Sequence, residues 1–403
     1  MRISTNTMYE IGVTRITELQ AGMVKTQQQI STNRRMLSPS DDPIASARAL
    51  ELSQGKEMNA QLAVNRQNAR QALVEQEGAL ASVSSLVQDV QTLAVTAGNG
   101  ALDDTQRHYL AVDLQSRYDQ MLGLANSRGG TGNYMFAGFD ITAEPFCATP
   151  QGAVYRGDQG QRSLQVGAGR QINVSNAGNE VFEGTRGGNG DFVTAAAATN
   201  QGSGIVGTGS VTNRAALTSH QYQIDFHNTA GVMTYDVVDN TAGLPALSSG
   251  NAFKDGDTIN FDGMQFDVRG APADGDKFTV APSKNVSIFT TLRDLIGVLG
   301  QSTKSVPGQA RLANGLVQAG AGLGGMLDNV LTLRASLGGR LKELDSLDSS
   351  GSERDVQLAQ SLSTLQDVDM VKAISDLSQQ QTTLEAAQKS FMTVSSLSLF
   401  KLI

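Results

Sequence analysis

The residue types that could bind a metal ion or move a proton are few and dispersed in this sequence. His108 closely follows Asp103 and Asp104, a grouping that could suggest metal ligands, but it lies on a charged turn of a predicted helix. Histidine-containing metal sites use defined spacings such as HExxH or paired cysteines and histidines, and His220 and His227 belong to none of them. We therefore interpret His108 as a solvated side chain and expect no metal site.

Two acidic turns and one glycine-rich run could indicate other chemistry. Asp255-Gly256-Asp257 and Asp274-Gly275-Asp276 could bind calcium, but the order of acidic positions in an EF-hand and its closing glutamate are missing. Aspartate and glycine are also common residues of tight turns, and we favour that interpretation. Gly322-Leu323-Gly324-Gly325 lacks the Lys-Ser/Thr that follows a phosphate loop. With no Gly-x-Ser-x-Gly elbow beside a suitable histidine, the sequence indicates a protein that is not an enzyme and needs no cofactor.

Composition excludes several classes of partner. The 403-residue chain has a net charge of -8 and no block of basic residues, which argues against nucleic acid or an anionic membrane surface. The single cysteine, Cys147, cannot form an intramolecular disulfide. Residues 1–19 do not resemble a cleaved signal peptide, and no run approaches the roughly 18 apolar residues of a membrane span. We expect no membrane insertion and no cleaved leader.

The last 37 residues become more apolar instead of more polar. Their apolar positions recur in steps of three and four, which places them along one face of a helix that suits a partner helix. Few charges accompany them, so we expect contacts on more than one side. The predicted interface residues are Val371, Ile374, Leu377, Leu384, Phe391, Val394, Leu397 and Phe400, with Ala387 in the same pattern.

The amino-terminal stretch has a similar heptad pattern. Its apolar positions are Ile16, Leu19, Met23, Ile30 and Leu37, with Thr26 and Asn33 in the intervening places. Isolated helices of this quality are marginal in water, because most helical stability in proteins comes from packing an amphipathic face. We therefore expect the two terminal segments to pack together or to pack into an assembly.

Between these ends, helices enclose a β region. Asp42 and Pro43 predict the start of a helix that continues to about Ala97, and Asp103 or Asp104 opens the next. Period-two segments predict strands near 153–156, 163–166, 171–174, 221–226, 233–238, 258–261, 264–268 and 277–280, whereas 184–210 predicts loops around a short strand near 204–211. Asp262-Gly263 predicts a tight hairpin.

After the β region, a further helix is predicted near 287–299, and a regular leucine pattern follows from 312 to 347. We then expect a turn at Ser349–Ser352 and a final helix from Glu353. The predicted fold is α+β and mainly α: a long antiparallel helical coiled-coil bundle formed by the N- and C-terminal segments, with an inserted antiparallel β domain. The expected domains are an assembly segment at 1–40, a helical rod half at 41–140, a β-rich insertion at 141–286, the second rod half at 287–366 and an assembly segment at 367–403.

Specific motifs, taken together with these patterns, resemble those of a known protein family. The break Leu37–Ala45 and the closing run Asp367–Gln381, together with the two heptad patterns, resemble the flagellin superfamily. Asn133–Phe139 and the ending Ser396–Phe400 are similar to the branch of that superfamily at the hook-filament junction. The resemblance covers about the first 145 and the last 115 residues. A filament flagellin remains the nearest alternative, and an adhesin-like binding module within 222–280 is a further one.

The resemblance implies a structural subunit exported unfolded through the flagellar type III apparatus, without leader cleavage. It implies terminal helices that are loosely held in the monomer and form an inner tube on assembly, with the β insertion projecting outward. The implied partners are other copies of the chain, hook-associated protein 1 on the hook side, flagellin on the filament side, and a cytoplasmic export chaperone that covers about Val371 to Leu402. The implied location is the flagellum, outside the cell.

Overall fold

The computed structural model describes residues 5–243 and 246–399. The chain divides into two compact units, one made of Met1–Val64 with Ser346–Ile403 and the other of Asn65–Asp345. Seven helices occur in the described residues: α1 (Thr5–Thr32), α2 (Pro43–Ala97), α3 (Asp104–Ala125), α4 (Gly178–Phe182), α5 (Ile288–Leu299), α6 (Val306–Gln366) and α7 (Met370–Leu399).

Local capping chemistry explains where α2 and α3 begin. Asp42 Oδ1 accepts a hydrogen bond from the Ala45 N–H at 3.0 Å, which satisfies one of the free donors in the first turn of α2. Asp103 and Gln106 form a reciprocal capping box at the start of α3, with bonds of 2.7 and 3.0 Å. The predicted start and end of α2, at Pro43 and Ala97, are confirmed.

The expected turn at Ser349–Ser352 is wrong, because α6 runs without interruption from Val306 to Gln366. Gly351 is buried there, and its carbonyl accepts a 2.8 Å hydrogen bond from Asn59 Nδ2 on α2. Packing against α2 thus outweighs the weak helix propensity of this Ser/Gly run. The break falls later, at 367–369, where Asp369 Oδ1 accepts the Lys372 N–H and caps α7.

Aromatic side chains organise the helical part of the second unit. The ring of Phe146 lies 5.3 Å from that of Phe182 and 5.2 Å from that of Phe289 on α5. Phe136, from the motif noted in the sequence, is fully buried and lies 5.4 Å from Phe182. Tyr118 on α3 packs edge-on against Phe289. These rings fix the loop after α3 and the short helix α4 against α5.

The β region forms small antiparallel sheets. Its strands are β1 (Phe146–Thr149), β2 (Gly152–Tyr155), β3 (Ser163–Gly167), β4 (Arg170–Asn173), β5 (Thr185–Arg186), β6 (Phe192–Ala196), β7 (Ile205–Val206), β8 (Ser210–Val211), β9 (Tyr222–Thr229), β10 (Val232–Asp239), β11 (Ser248–Ala252), β12 (Thr258–Phe261), β13 (Met264–Arg269), β14 (Lys277–Pro282) and β15 (Asn285–Val286). The largest sheet has the order β11-β10-β9-β14-β6. The expected fold class, mainly helical with an inserted antiparallel sheet, is confirmed.

Two strands of the largest sheet were not predicted. Strand β6 lies in the 184–210 stretch expected to be mostly loop, and it pairs with β14 over five residues. Strand β11 pairs with β10 although it contains only Ser, Gly, Asn and Ala. The partner of β6 is distant in sequence and that of β11 is the preceding strand, and in both cases pairing with a neighbouring strand outweighs weak local propensity. The Asp262-Gly263 hairpin is confirmed, with positive φ at both residues as a type I′ turn requires.

Within the described residues, no helix combines the length and the apolar character needed to cross a membrane.

Candidate assembly site

Helices α1 and α7 pack side by side in opposite directions. Their ends show the direction, because Tyr9 near the start of α1 contacts Phe391 near the end of α7, and Arg34 just after α1 pairs with Asp367 just before α7. Steps of four and three separate the facing positions on both helices, as in a coiled coil. These positions, the inner seam, are Gly12, Ile16, Leu19, Met23, Thr26 and Ile30 on α1, and Ala373, Leu377, Gln380, Leu384, Ala387 and Phe391 on α7; each is at least partly buried.

One end of the inner seam depends on a glycine. The ring centroids of Phe391 and Tyr9 lie 5.1 Å apart. A Cβ atom at Gly12 would lie only 2.6 Å from Phe391 Cδ2, well inside van der Waals contact. Gly12 therefore allows the ring of Phe391 to approach the α1 backbone.

The other end is fastened by backbone hydrogen bonds. The Arg35 N–H donates to the Gln366 carbonyl at 2.7 Å, and the Val368 N–H donates to the Asn33 carbonyl at 3.4 Å. The Arg35 guanidinium also donates to the Leu365 carbonyl, at 3.1 and 3.3 Å. A cationic donor is favourable here, because the last carbonyls of a helix lack partners and carry partial negative charge. The connection after α1 thus caps the end of α6.

Asp41 holds the connection between α1 and α2 against α1. Its carboxylate accepts hydrogen bonds from Lys25 Nζ at 2.7 Å and from the N–H groups of Leu37 and Ser38 at 2.9 and 3.1 Å. The Lys25 hydrogen bond, followed by those from Ser38 and Leu37, lowers the pKa of Asp41 to about 2. The expectation that Leu37 belongs to the helical pattern is wrong, because α1 ends at Thr32 and Asn33 takes a positive φ of 53°.

The structure brings together only some of the predicted interface residues. Those in the inner seam are Ile16, Leu19, Met23, Ile30, Leu377, Leu384 and Phe391. Val371 and Ile374 lie off this seam and are 81% and 55% exposed. Val394 follows Phe391 in line with the seam and is also mostly exposed. The side chain of Leu397 and the whole of Phe400 lie outside the described residues.

Sequence reasoning missed three seam positions, which are Gly12, Ala373 and Gln380. Extending the spacing of Leu377, Leu384 and Phe391 with intervening steps of three and four would have found Ala373 and Gln380. Neither stands out as an apolar position in the sequence, because one is small and the other is polar. Gln380 Oε1 is buried, and the described residues offer it no hydrogen-bond donor.

A second group of large apolar side chains on the same helices remains exposed. This outer apolar set consists of Ile11, Val13 and Val24 on α1 and Val371, Ile374 and Met392 on α7. Large exposed apolar surface on a soluble helix pair indicates an interaction site. The two helices can therefore pair with each other through the inner seam and still offer apolar side chains to further helices.

The candidate chemical residues have structural partners. In the acidic turns, the carboxylate of Asp276 accepts the N–H groups of Gln201, Gly202 and Ala273. His220 Nδ1 lies 2.7 Å from Asp239 Oδ2; burial raises the pKa of Asp239, but hydrogen bonds led by the Ala242 N–H bring that pKa below its usual value. Across the described residues, no three His, Cys, Asp or Glu side chains are arranged to hold a metal ion.

Comparison with known proteins agrees with these features. Residues 3–140 match the family model of the bacterial flagellin N-terminal helical region, and residues 195–282 match that of the D2-like domain of flagellar hook-associated protein 1. Paired terminal helices around an antiparallel β insertion, with these two matches, define a flagellin-like structural subunit of the bacterial flagellum.

Relatives of full length identify the family within this class. Flagellar hook-associated protein 3 of Escherichia coli K12 is 31% identical over 100% of this chain and 99% of its own length. The same protein of Salmonella typhimurium LT2 is 32% identical with the same coverage. The crystal structure of the flagellar junction protein FlgL from Legionella pneumophila has a TM-score of 0.70 and 31% identity, covering 79% of this chain and all of that one. The chain belongs to the flagellar hook-associated protein 3 family.

Proposed function

We propose that this protein is a structural subunit that joins the flagellar hook to the flagellin filament and assembles through its terminal helices. The observation that carries the proposal is the division of apolar side chains on α1 and α7 between an inner seam and an outer apolar set. A helix pair of this kind is held together by its inner seam and gains stability when neighbouring subunits cover its outer apolar set, as a subunit of a tube requires. The family membership supports the junction as its place.

The energy for assembly comes from burying the outer apolar set and the predicted interface residues that stay exposed, Val371, Ile374 and Val394. Burying one such side chain completely contributes about 1.5–3 kcal/mol. Several contacts of this size for each subunit offset the loss of translational and rotational freedom on association. Leu397 and Phe400 are proposed to take part as well.

The partners and the route follow from the same proposal. The chain contacts its own copies, hook-associated protein 1 on the hook side and flagellin on the filament side. It leaves the cell through the flagellar type III apparatus, with an export chaperone covering about 371–402 beforehand, and it is not an enzyme. Segments 1–40 and 367–403 are the assembly segments, 41–140 and 287–366 form the helical rod, and 141–286 is the outer β-rich domain. The match of residues 195–282 to a domain of a hook-associated protein supports a flagellar role for that insertion.

The test is electron microscopy of cells that lack this chain, with an assay of flagellin in the medium. Bare hooks with flagellin shed as monomer are expected, because subunits are then exported with nothing to anchor them. Short or missing filaments without shed flagellin would assign the chain to the filament itself. Unaltered filaments would overturn the assembly function.

A further inference from the structure

A polar groove of about 770 Å³ lies within the second unit, between one face of α2, the loop 129–139 and the start of β3. We call it the Arg162 groove. Amide side chains, among them Gln71, Gln76 and Asn133, line it together with the mostly exposed ring of Phe139. None of its lining residues belongs to α1 or α7, the helices that carry the proposed assembly function.

Arg162 is the unusual cation of this groove. Its Nε atom is buried from solvent and lacks an acceptor, and its guanidinium makes no ion pair or hydrogen bond with any part of the chain that the structure describes. Two other arginines of the same unit are paired: Arg334 Nη2 lies 2.8 Å from Glu77 Oε1, and Arg170 bonds both carboxylate oxygens of Glu343. Because a partly desolvated guanidinium is costly without an anion, the groove is built for one that the chain itself does not provide.

Gln76 supplies the complementary group. It is only 2% exposed, lines the same groove, and its Oε1 atom has no hydrogen-bond donor among the described residues. Buried polar groups are nearly always satisfied, so an unpaired acceptor and an unpaired Nε–H in one groove suit a ligand with both an anion and an N–H donor. Glu75 also lines the groove, but its two oxygens accept from Gln71 Nε2 and the Gly130 N–H at 3.1 Å each, and it forms no ion pair with Arg162.

We propose that the Arg162 groove receives an aspartate or glutamate of a neighbouring copy of this chain, with its carboxylate on Arg162 and its backbone N–H on Gln76. The carboxylate suits the planar fork of the guanidinium, which forms paired charge-assisted hydrogen bonds. A second copy fits electrostatically, since the chain carries 39 acidic residues against 31 basic ones. This inference rests on the proposed function, because copies must lie side by side in an assembly.

The experiment uses flagellated cells that produce the full chain with the photo-crosslinking residue p-benzoylphenylalanine at Ser163, an exposed position on the rim of the groove. Irradiation is expected to link Ser163 to a second copy, at a peptide that contains an aspartate or glutamate. Arg162→Gln is expected to lower the yield about tenfold, the effect of losing a hydrogen-bonded charge. Arg156→Gln, a matched loss of charge at an exposed residue outside the groove, is expected to leave the yield unchanged.

Folding does not obscure this comparison. The hydrogen bonds of Arg162 to Ser175 and Val174 are made by its backbone, and its guanidinium bonds nothing within the described chain, so Arg162→Gln is expected to unfold at the same temperature as the parent protein. Exchanging the charges, with Arg162→Glu combined with arginine at the crosslinked acidic residue, is expected to restore the crosslink. Three outcomes would each overturn the proposal: crosslinks only to another protein or to a glycan, no crosslink in normal flagella, or a crosslink yield that Arg162→Gln does not change. These outcomes leave the phenotype of cells lacking the chain unchanged, so the two proposals fail separately.

Discussion

Leu384 and Ile374 lie on the same helix, and the structure predicts opposite consequences of truncating them. Leu384 is 9% exposed within the inner seam, whereas Ile374 is 55% exposed and belongs to the outer apolar set. Leu384→Ala is expected to destabilise the helix pair by about 2–3 kcal/mol, at the low end for a buried leucine because a two-helix seam can close around the gap. Ile374→Ala is expected to change the stability of the monomer by less than about 0.5 kcal/mol.

In assembly, Ile374→Ala is expected to have the large effect that it lacks in the monomer. If Ile374 is buried between subunits, its truncation costs about 2 kcal/mol for each contact. That corresponds to roughly a 30-fold loss of affinity. A large deficit of assembled subunits is therefore expected from a variant whose monomer is almost unaffected.

Two assays separate these effects. Urea unfolding of the purified chain, followed by helical circular dichroism, reports the monomer, and the fraction of flagellin shed into the medium reports the assembled junction. Glu385→Ala, at an exposed polar position of α7, is the matched control and should be neutral in both. The reasoning is refuted if Ile374→Ala destabilises the monomer as much as Leu384→Ala does, or if cells with Ile374→Ala retain their flagellin normally.

Three further predictions follow from named contacts. Gly12→Ala is expected to lower the stability of the helix pair by about 1–3 kcal/mol in thermal unfolding, because the new Cβ meets Phe391. Gly22→Ala is the control: a Cβ there meets nothing within 4 Å, so this change should stabilise the pair by about 0.5–1 kcal/mol. Equal effects of the two changes would contradict the packing described. The folded pKa of Asp41, about 2, is below its ordinary 3.8, so its stabilisation is present above about pH 4 and is lost as pH falls towards 2. The difference in unfolding temperature between Asp41→Asn and the parent should therefore shrink over that range, and a constant difference would argue against the Lys25 contact. In the purified monomer, amides of α1 and α7 should exchange hydrogen faster than those of α3 and α5, since one seam holds the terminal pair; equal protection would show that its order does not depend on assembly.

Sequence predicts best where neighbouring residues determine the structure. Asp42 and Pro43 fix the start of α2, and Asp262-Gly263 fixes its hairpin, because a cap or a turn depends on two to four adjacent residues. The continuity of α6 through Gly351 depends on Asn59, which is 292 positions away. Strand β6 likewise depends on β14. A local pattern contains no information about such partners.

The candidate site shows a different limit. On α1, the predicted positions from Ile16 to Ile30 lie in one partly buried row. On α7, however, the sequence pattern joined two rows, because Val371 and Ile374 have helical spacing to Leu377 while only Leu377 lies in the inner seam. Periodicity indicates that apolar residues share part of a helix surface. It does not separate the row that meets a partner in the same chain from the row left for another chain.

The distribution of side-chain sizes between the two rows explains how pairing and assembly are related. The inner seam contains Gly12, Thr26, Ala373 and Ala387, which bury little apolar surface, and Gln380, whose buried Oε1 lacks a partner among the described residues. The outer apolar set consists only of valine, isoleucine and methionine. Since hydrophobic stabilisation scales with the apolar area removed from water, burying the outer apolar set between subunits can add substantially to the contact within one chain. Under the proposed function, this distribution leaves the terminal pair weakly held in the monomer, which eases its unfolding before export, and stabilises the pair once neighbouring subunits cover its outer apolar set.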